Sequence, residues 1–294
     1  MKIKAFDLLN LSLDRYLILR GLRKNIISVE NYQIETWISK NNKPPLLLLH
    51  AFGASGKYTW INQILTLSRH FKLIIPNLIY FGNSNMDKKS YSINTQVGAL
   101  SSMMKHLNIK EFALGGVSYG GTVACELARH NEFIITKMFL SNFSIKNVDS
   151  KNWEKIMTQM GKSDRAEILI PSSYQELKKF FNLAMYKKKF LPDFVIKGMY
   201  NKYYLDKYED KKNLVYQYIE ETSKMERNPY TFSFPILLLW GENDSISPPY
   251  IAEEIKKEIG SNVKLITFKK CGHLPHIERF IKYNLELKKF LTRK

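Results

Sequence analysis

The chain has 294 residues, enough to bury a sizeable core, and 45% are hydrophobic, the balance of a soluble globular protein. Its two cysteines, Cys125 and Cys271, form no paired motif, which excludes a disulfide framework and a cysteine-built metal site and points to a reducing compartment, the cytoplasm. The formal net charge of +18 invites an anionic partner, but 36 of the 45 basic residues are lysines spread along the chain, with no nucleic-acid-binding motif, so a solvated basic surface and no nucleic-acid partner are expected.

The first segment, "MKIKAFDLLNLSLDRYLILRGLRK", is interrupted by Asp7, Asp14, Arg15 and Arg20. A bilayer span needs about 18 uninterrupted apolar residues, and a signal peptide needs a small-residue cleavage site. Neither is present. Phe6, Leu9, Leu13, Tyr16 and Leu17 instead predict one apolar side of a helical extension over residues 1–24, either packed on the core or lying on a surface. Packing on the core is the favoured reading.

From residue 44, short apolar runs alternate with helical patterns. Strands are expected over 44–50, 72–77, 112–117, 135–142, 234–240 and 263–268, with helices near 58–69, 94–107, 119–130, 250–259 and 275–292. Continuous apolar strands with helical crossovers mean a mostly parallel sheet covered by helices on both faces. Residues 145–228 break the alternation and read as an inserted helical lid, leaving a core of 25–144 and 229–294. The insertion is rich in apolar side chains, among them Leu169, Leu177, Phe180, Phe181, Met185, Phe190, Leu191, Phe194 and Met199.

In "LGGVSYGGTVACELARH", residues 114–130, Ser118 stands on a strand-to-helix turn between Gly116 and Gly120. This is the pattern G-x-S-x-G, a nucleophile elbow in which a strained turn exposes the hydroxyl at the carboxyl end of a sheet. Alone it is a weak signal. Serine is a poor nucleophile at neutral pH and needs a base, a carboxylate to orient that base, and donors for an oxyanion. Asp244 in "WGENDSISPP" and His273 in "CGHLPHIE" both follow late strands, at the sheet end where Ser118 emerges. Glu242 is a rival acid with less reach, since it directly follows the strand and Gly241. His276 is a rival base, and Asn142 offers no carboxylate. The oxyanion donors are expected to be the backbone N–H groups of Tyr119 and of Phe52 in "HAFGASG". No P-loop, dinucleotide fingerprint or metal-binding spacing occurs, so no cofactor or metal is expected.

Together "PPLLLLHAFG", "IPNLIYFGNS", "GGVSYGG", "LLLWGEND" and "CGHLPHIE" resemble the α/β-hydrolase superfamily, in particular its monoacylglycerol lipase-like serine esterases. The resemblance implies an α/β-hydrolase fold in which Ser118 is the nucleophile, Asp244 the orienting acid and His273 the base, with the amides of Phe52 and Tyr119 as the oxyanion hole. Two departures stand out. Ala51 replaces a usual glycine, adding a β-carbon expected to narrow the oxyanion turn, and Asn77 replaces a frequent aspartate at a non-catalytic position.

The favoured function is hydrolysis of small-molecule carboxylic esters of lipid-like acyl groups. A thioesterase, an esterase for acyl-carrier-protein substrates, and a ligand-binding receptor on the same fold are the alternatives. Lys2, Lys4, Arg15, Arg20, Arg23 and Lys24 around the first segment add the expectation of peripheral contact with an anionic membrane.

Overall fold

The computed structural model describes residues 5–144, 150–187, 191–224 and 230–293. Among these residues nine strands form one mixed sheet: β1 (Leu22–Val29), β2 (Tyr32–Ser39), β3 (Pro45–Leu49), β4 (Lys72–Pro76), β5 (Asn85–Met86), β6 (Glu111–Val117), β7 (Ile134–Ser141), β8 (Ile236–Gly241) and β9 (Val263–Phe268). Their order is β1-β2-β4-β3-β6-β7-β8-β9, with β5 against β2. The six strands from β4 to β9 in that order pair in parallel and match the six sequence-predicted runs to within two residues.

The antiparallel hairpin β1–β2 has no counterpart among the predicted strands. β1 exposes most of its residues, so it lacks an apolar run, and its turn is made by Glu30 at φ 52 rather than by a glycine.

The leucine run of β3 shows how the sheet divides the core. Leu47 and Leu49 join a cluster with α3 (Ile93–His106), α4 (Tyr119–Arg129) and α10 (Pro249–Ile259). Leu46 and Leu48 turn to the other face, against α1 (Ala5–Leu19), α2 (Gly56–Leu67) and α12 (Phe280–Thr292). Such two-sided burial is why these strands are apolar throughout instead of alternating.

The helix expected over 275–292 is two helices, α11 (Pro275–Glu278) and α12, broken at Arg279. There the chain leaves helical geometry, and the guanidinium caps the carbonyls of Lys269 and Lys270 at 3.1 and 2.8 Å.

Between β7 and β8 lie α5 (Ser150–Met160), α6 (Arg165–Leu169), α7 (Tyr174–Ala184), α8 (Asp193–Met199), a π-helical turn (Tyr200–Leu205) and α9 (Tyr208–Lys224). Lys207 ties them to the core by donating to the carbonyls of Gly82 and Ser84, both at 2.8 Å. α1 packs on the body through Phe6 and Leu17, and Asp14 pairs with Lys57 of α2 at 2.5 Å. Among the described residues no helix is long and apolar enough to cross a membrane. Lys2, Lys4, Phe190 and the expected lid boundaries at 145, 228 and 229 lie outside the described residues.

Candidate active site

Ser118 closes β6 and opens α4 at φ 52, ψ −123. A non-glycine residue held in the left-handed region costs about 1–3 kcal/mol, so the surroundings must impose it. They do so by close packing. A β-carbon on Gly116 would fall 2.4 Å from the Gly120 carbonyl oxygen, and one on Gly120 would fall 2.5 Å from that of His50. The two glycines let the turn pass under the loop after β3, which leaves half-buried Ser118 on the cavity wall at the sheet's carboxyl end.

Two loops from β8 and β9 bring the expected partners to it. His273 Nε2 lies 3.1 Å from Ser118 Oγ, and His273 Nδ1 lies 2.8 Å from Asp244 Oδ2. Because the carboxylate accepts, the proton sits on Nδ1 and Nε2 is left to accept from the serine. Asp244 is 4% exposed, and its Oδ1 also accepts from the backbone N–H groups of Ile246 and Ser247 at 2.8 and 3.0 Å. A fourth donor is Asn142, whose Nδ2 reaches Asp244 Oδ2 at 2.6 Å. Asn142 offers no carboxylate and so is no candidate for the acid. Its use here is as a donor, from the end of β7 at φ 45, a conformation asparagine tolerates.

The rivals fall away on position. Glu242 is exposed and reaches neither Ser118 nor His273, while its backbone N–H caps Phe268. His276 is buried on the cavity wall beside Trp60, where burial, with the nearby His273, pushes its imidazole down to about 3. It is a neutral packing residue.

The loop "HAFG" follows β3. His50 accepts from the Leu78 N–H through Nε2 at 2.9 Å, so its Nδ1 donates to the Ala51 carbonyl at 2.8 Å. Burial pushes this imidazole down to about 4, which keeps that arrangement neutral. Ala51 itself has no positive φ, so its β-carbon meets no backbone strain. Next in the chain, Phe52 packs its ring edge-on against Tyr119 at 5.8 Å. The Tyr119 N–H stands at the first position of α4, where no helical carbonyl is available to accept it. Asn77, the other departure, accepts from the Gly56 N–H at 2.8 Å and so anchors the start of α2.

Two cavities meet at Ser118, both bordered by Phe52, Leu169 and Ile246. The larger, about 350 Å³, is lined by apolar residues of the insertion, including Phe180, Phe181, Met185, Leu191 and Met199, together with core residues such as Phe52, Ile61, Leu274 and Ile277. The smaller, about 90 Å³, is lined by Trp153, Arg165, Tyr218 and Thr222 among others. Phe194, one of the apolar residues of the insertion, is 51% exposed.

Glu278 joins the insertion to the histidine loop. Its Oε1 accepts from the Gly272 N–H at 2.8 Å, and its Oε2 accepts from Tyr186 and Lys187 at 3.0 and 3.3 Å. No catalytic motif marks this residue beyond its place in "HIE", and only the fold reveals its partners.

An α/β-sheet with a serine elbow, a histidine and an aspartate at the carboxyl ends of its strands defines a hydrolase-type scaffold. The model of the alpha/beta hydrolase fold family matches residues 44–280, and the chain belongs to that family. Its curated relatives include Lipase 3 of Moraxella sp. (strain TA144), 27% identical over 242 residues covering 80% of this chain and 73% of the relative. Monoacylglycerol lipase ABHD6 of Homo sapiens is 24% identical over 255 residues, covering 81% and 72%. Among solved structures, a membrane phospholipase A described as a bacterial virulence factor superposes with a TM-score of 0.83 at 20% identity, over 97% of this chain and 90% of that one.

Proposed function

We propose that the protein is a serine hydrolase that cleaves carboxylic esters with lipid-like acyl chains, monoacylglycerols among them. The observation that carries the reading is the hydrogen-bonded line Ser118–His273–Asp244 opening on an apolar cavity of about 350 Å³. Lipase and monoacylglycerol lipase relatives support it.

In this reading His273 Nε2 takes the Ser118 hydroxyl proton as Oγ attacks the ester carbonyl carbon. Asp244 holds the ring in the required tautomer and stabilises the imidazolium. The amides of Phe52 and Tyr119 receive the developing oxyanion, where the N-terminus of α4 adds favourable field. Proton return from His273 releases the alcohol and leaves Ser118 acylated. Water, deprotonated by His273, then frees the acid. An acyl chain in the larger cavity and the alcohol in the smaller would match the chemistry of their walls.

The test is a panel of esters with acyl chains of increasing length, run beside the matching thioesters. The expected result is kcat/KM rising with chain length until the cavity is filled, with oxoesters preferred. Preference for thioesters, or no turnover of any ester, would overturn the assignment.

A further inference from the structure

The outward face of α1 contradicts its packing. A helix laid on a protein body ordinarily turns polar residues to water. Here Phe6, Asn10 and Leu17 face the body, while Leu8, Leu11, Ile18 and Leu19 lie on the opposite side, Leu19 at 84% exposure. The helix therefore has an apolar stripe on each side. The same feature recurs on α12, where Ile281 and Leu285 are 65% and 62% exposed. Between the two helices runs a groove of about 410 Å³, lined by Leu9, Leu13 and Tyr16 of α1, Ile61 and Leu65 of α2, and Phe280 of α12. Leu9 and Phe280, both exposed, meet in this groove, and apolar exposure gathered in this way marks an interaction surface, whereas scattered exposed leucines would not.

Two observations say what covers it. The first is charge. Exposed Arg15, Arg20 and Arg23 stand on and beside α1, and Lys282, Lys288 and Lys289 are exposed on α12, in a chain of net charge +18. Asp7 is the exposed acid on α1, and Asp14 is already paired with Lys57. Apolar side chains set among cations complement the acyl boundary and headgroups of an anionic bilayer. The second is continuity. Ile61 and Asn62 border both this groove and the larger cavity at Ser118.

We infer that the α1–α12 face docks on anionic lipid bilayers, with the groove over α2 lying between the lipid surface and the cavity. The path for substrate rests on the ester-hydrolase reading; the adhesion does not. It also joins the two expectations for the first segment, since one side of α1 packs on the body and the other is left for a surface.

The experiment is sedimentation of the full chain with vesicles of phosphatidylcholine alone or with phosphatidylglycerol, at low and high salt. It is compared with the double variants Leu8→Ser/Leu11→Ser and Ile281→Ser/Leu285→Ser, none of which lines the cavity. Binding is expected only with the anionic vesicles, falling as salt rises because the Debye length shrinks from about 10 Å at 0.1 M to about 3 Å at 1 M. Each double variant is expected to weaken it roughly tenfold or more, the scale of losing buried leucine side chains, while turnover of a short soluble ester stays unchanged. Equal binding to neutral vesicles, or variants that bind as wild type, would overturn the proposal. So would a chain that sediments as a dimer and becomes monomeric in the variants, since the face would then bind a second copy. If wild type docks with this pattern but hydrolyses no ester, the docking stands and the catalytic reading fails.

Discussion

The backbone N–H of His273 donates to the carbonyl of Ala184 at 2.7 Å, so the loop carrying His273 hangs on the last residue of α7. Glu278 reinforces the join by bonding Gly272 on one side and Tyr186 and Lys187 on the other. The histidine and the wall of the larger cavity are therefore held as one unit.

Glu278→Gln should loosen that unit. A glutamine keeps the shape, but it turns an amide NH₂ toward backbone N–H donors and loses charge-assisted bonds worth about 1.5–3 kcal/mol each. The expected outcome is a fall in kcat on the order of tenfold or more, with KM for long-chain esters rising as well, because cavity wall and base move together. Steady-state kinetics on short and long esters check it. Unchanged kcat with lower thermal stability would reduce Glu278 to a structural role.

Asn142→Ala removes one of four donors to Asp244 and leaves its buried Oδ2 under-satisfied. A drop in kcat of roughly one order of magnitude is expected, at near-constant KM, since the ring of His273 is less firmly oriented while the cavity is untouched. Asp244→Asn should cost far more, about 10⁴ in a comparable triad, because it reverses the tautomer.

Acid should destabilise the fold through two histidines that the proposed chemistry does not use. His50 and His276 are buried, with folded values pushed down to about 4 and about 3 from an ordinary 6.5. Below pH 6.5 the unfolded chain takes up protons that these sites refuse, so stability falls as pH drops. Each site contributes a slope of up to about 1.4 kcal/mol per pH unit until its folded value is reached. Their stabilising contribution is thus complete above about pH 6.5 and shrinks toward pH 4 and below. Thermal melts between pH 7 and 4 measure it, and His276→Leu should flatten the curve. An unchanged slope in that variant would exclude His276 as a source.

Much of this was legible in the sequence because the parallel strands are apolar on both faces and the motif residues sit at their ends. Leu46 to Leu49 announce a buried strand, and the glycines around Ser118 announce a tight turn. The hairpin β1–β2 escaped because an edge strand with polar exposed residues has no such run. Asn142 and Glu278 escaped for another reason: each bonds across the fold to a residue distant in sequence, Asp244 at 102 positions from Asn142 and Tyr186 at 92 from Glu278. The apolar residues of α1 announced a helix, but not that Leu8 and Leu17 would face opposite ways with both sides apolar. Periodicity locates a packed face; it says less about a face left outward.

In the proposed mechanism Ser118 becomes acylated through His273. Its most direct test is treatment of the folded protein with a fluorophosphonate, followed by intact mass and peptide mapping, beside ester turnover of wild type and Ser118→Ala. The expected outcome is a single phosphonyl group on Ser118, none on the variant, and turnover of the variant reduced by about 10³ or more with an unchanged circular dichroism spectrum. Label on another residue, or near-normal turnover in Ser118→Ala, would contradict it.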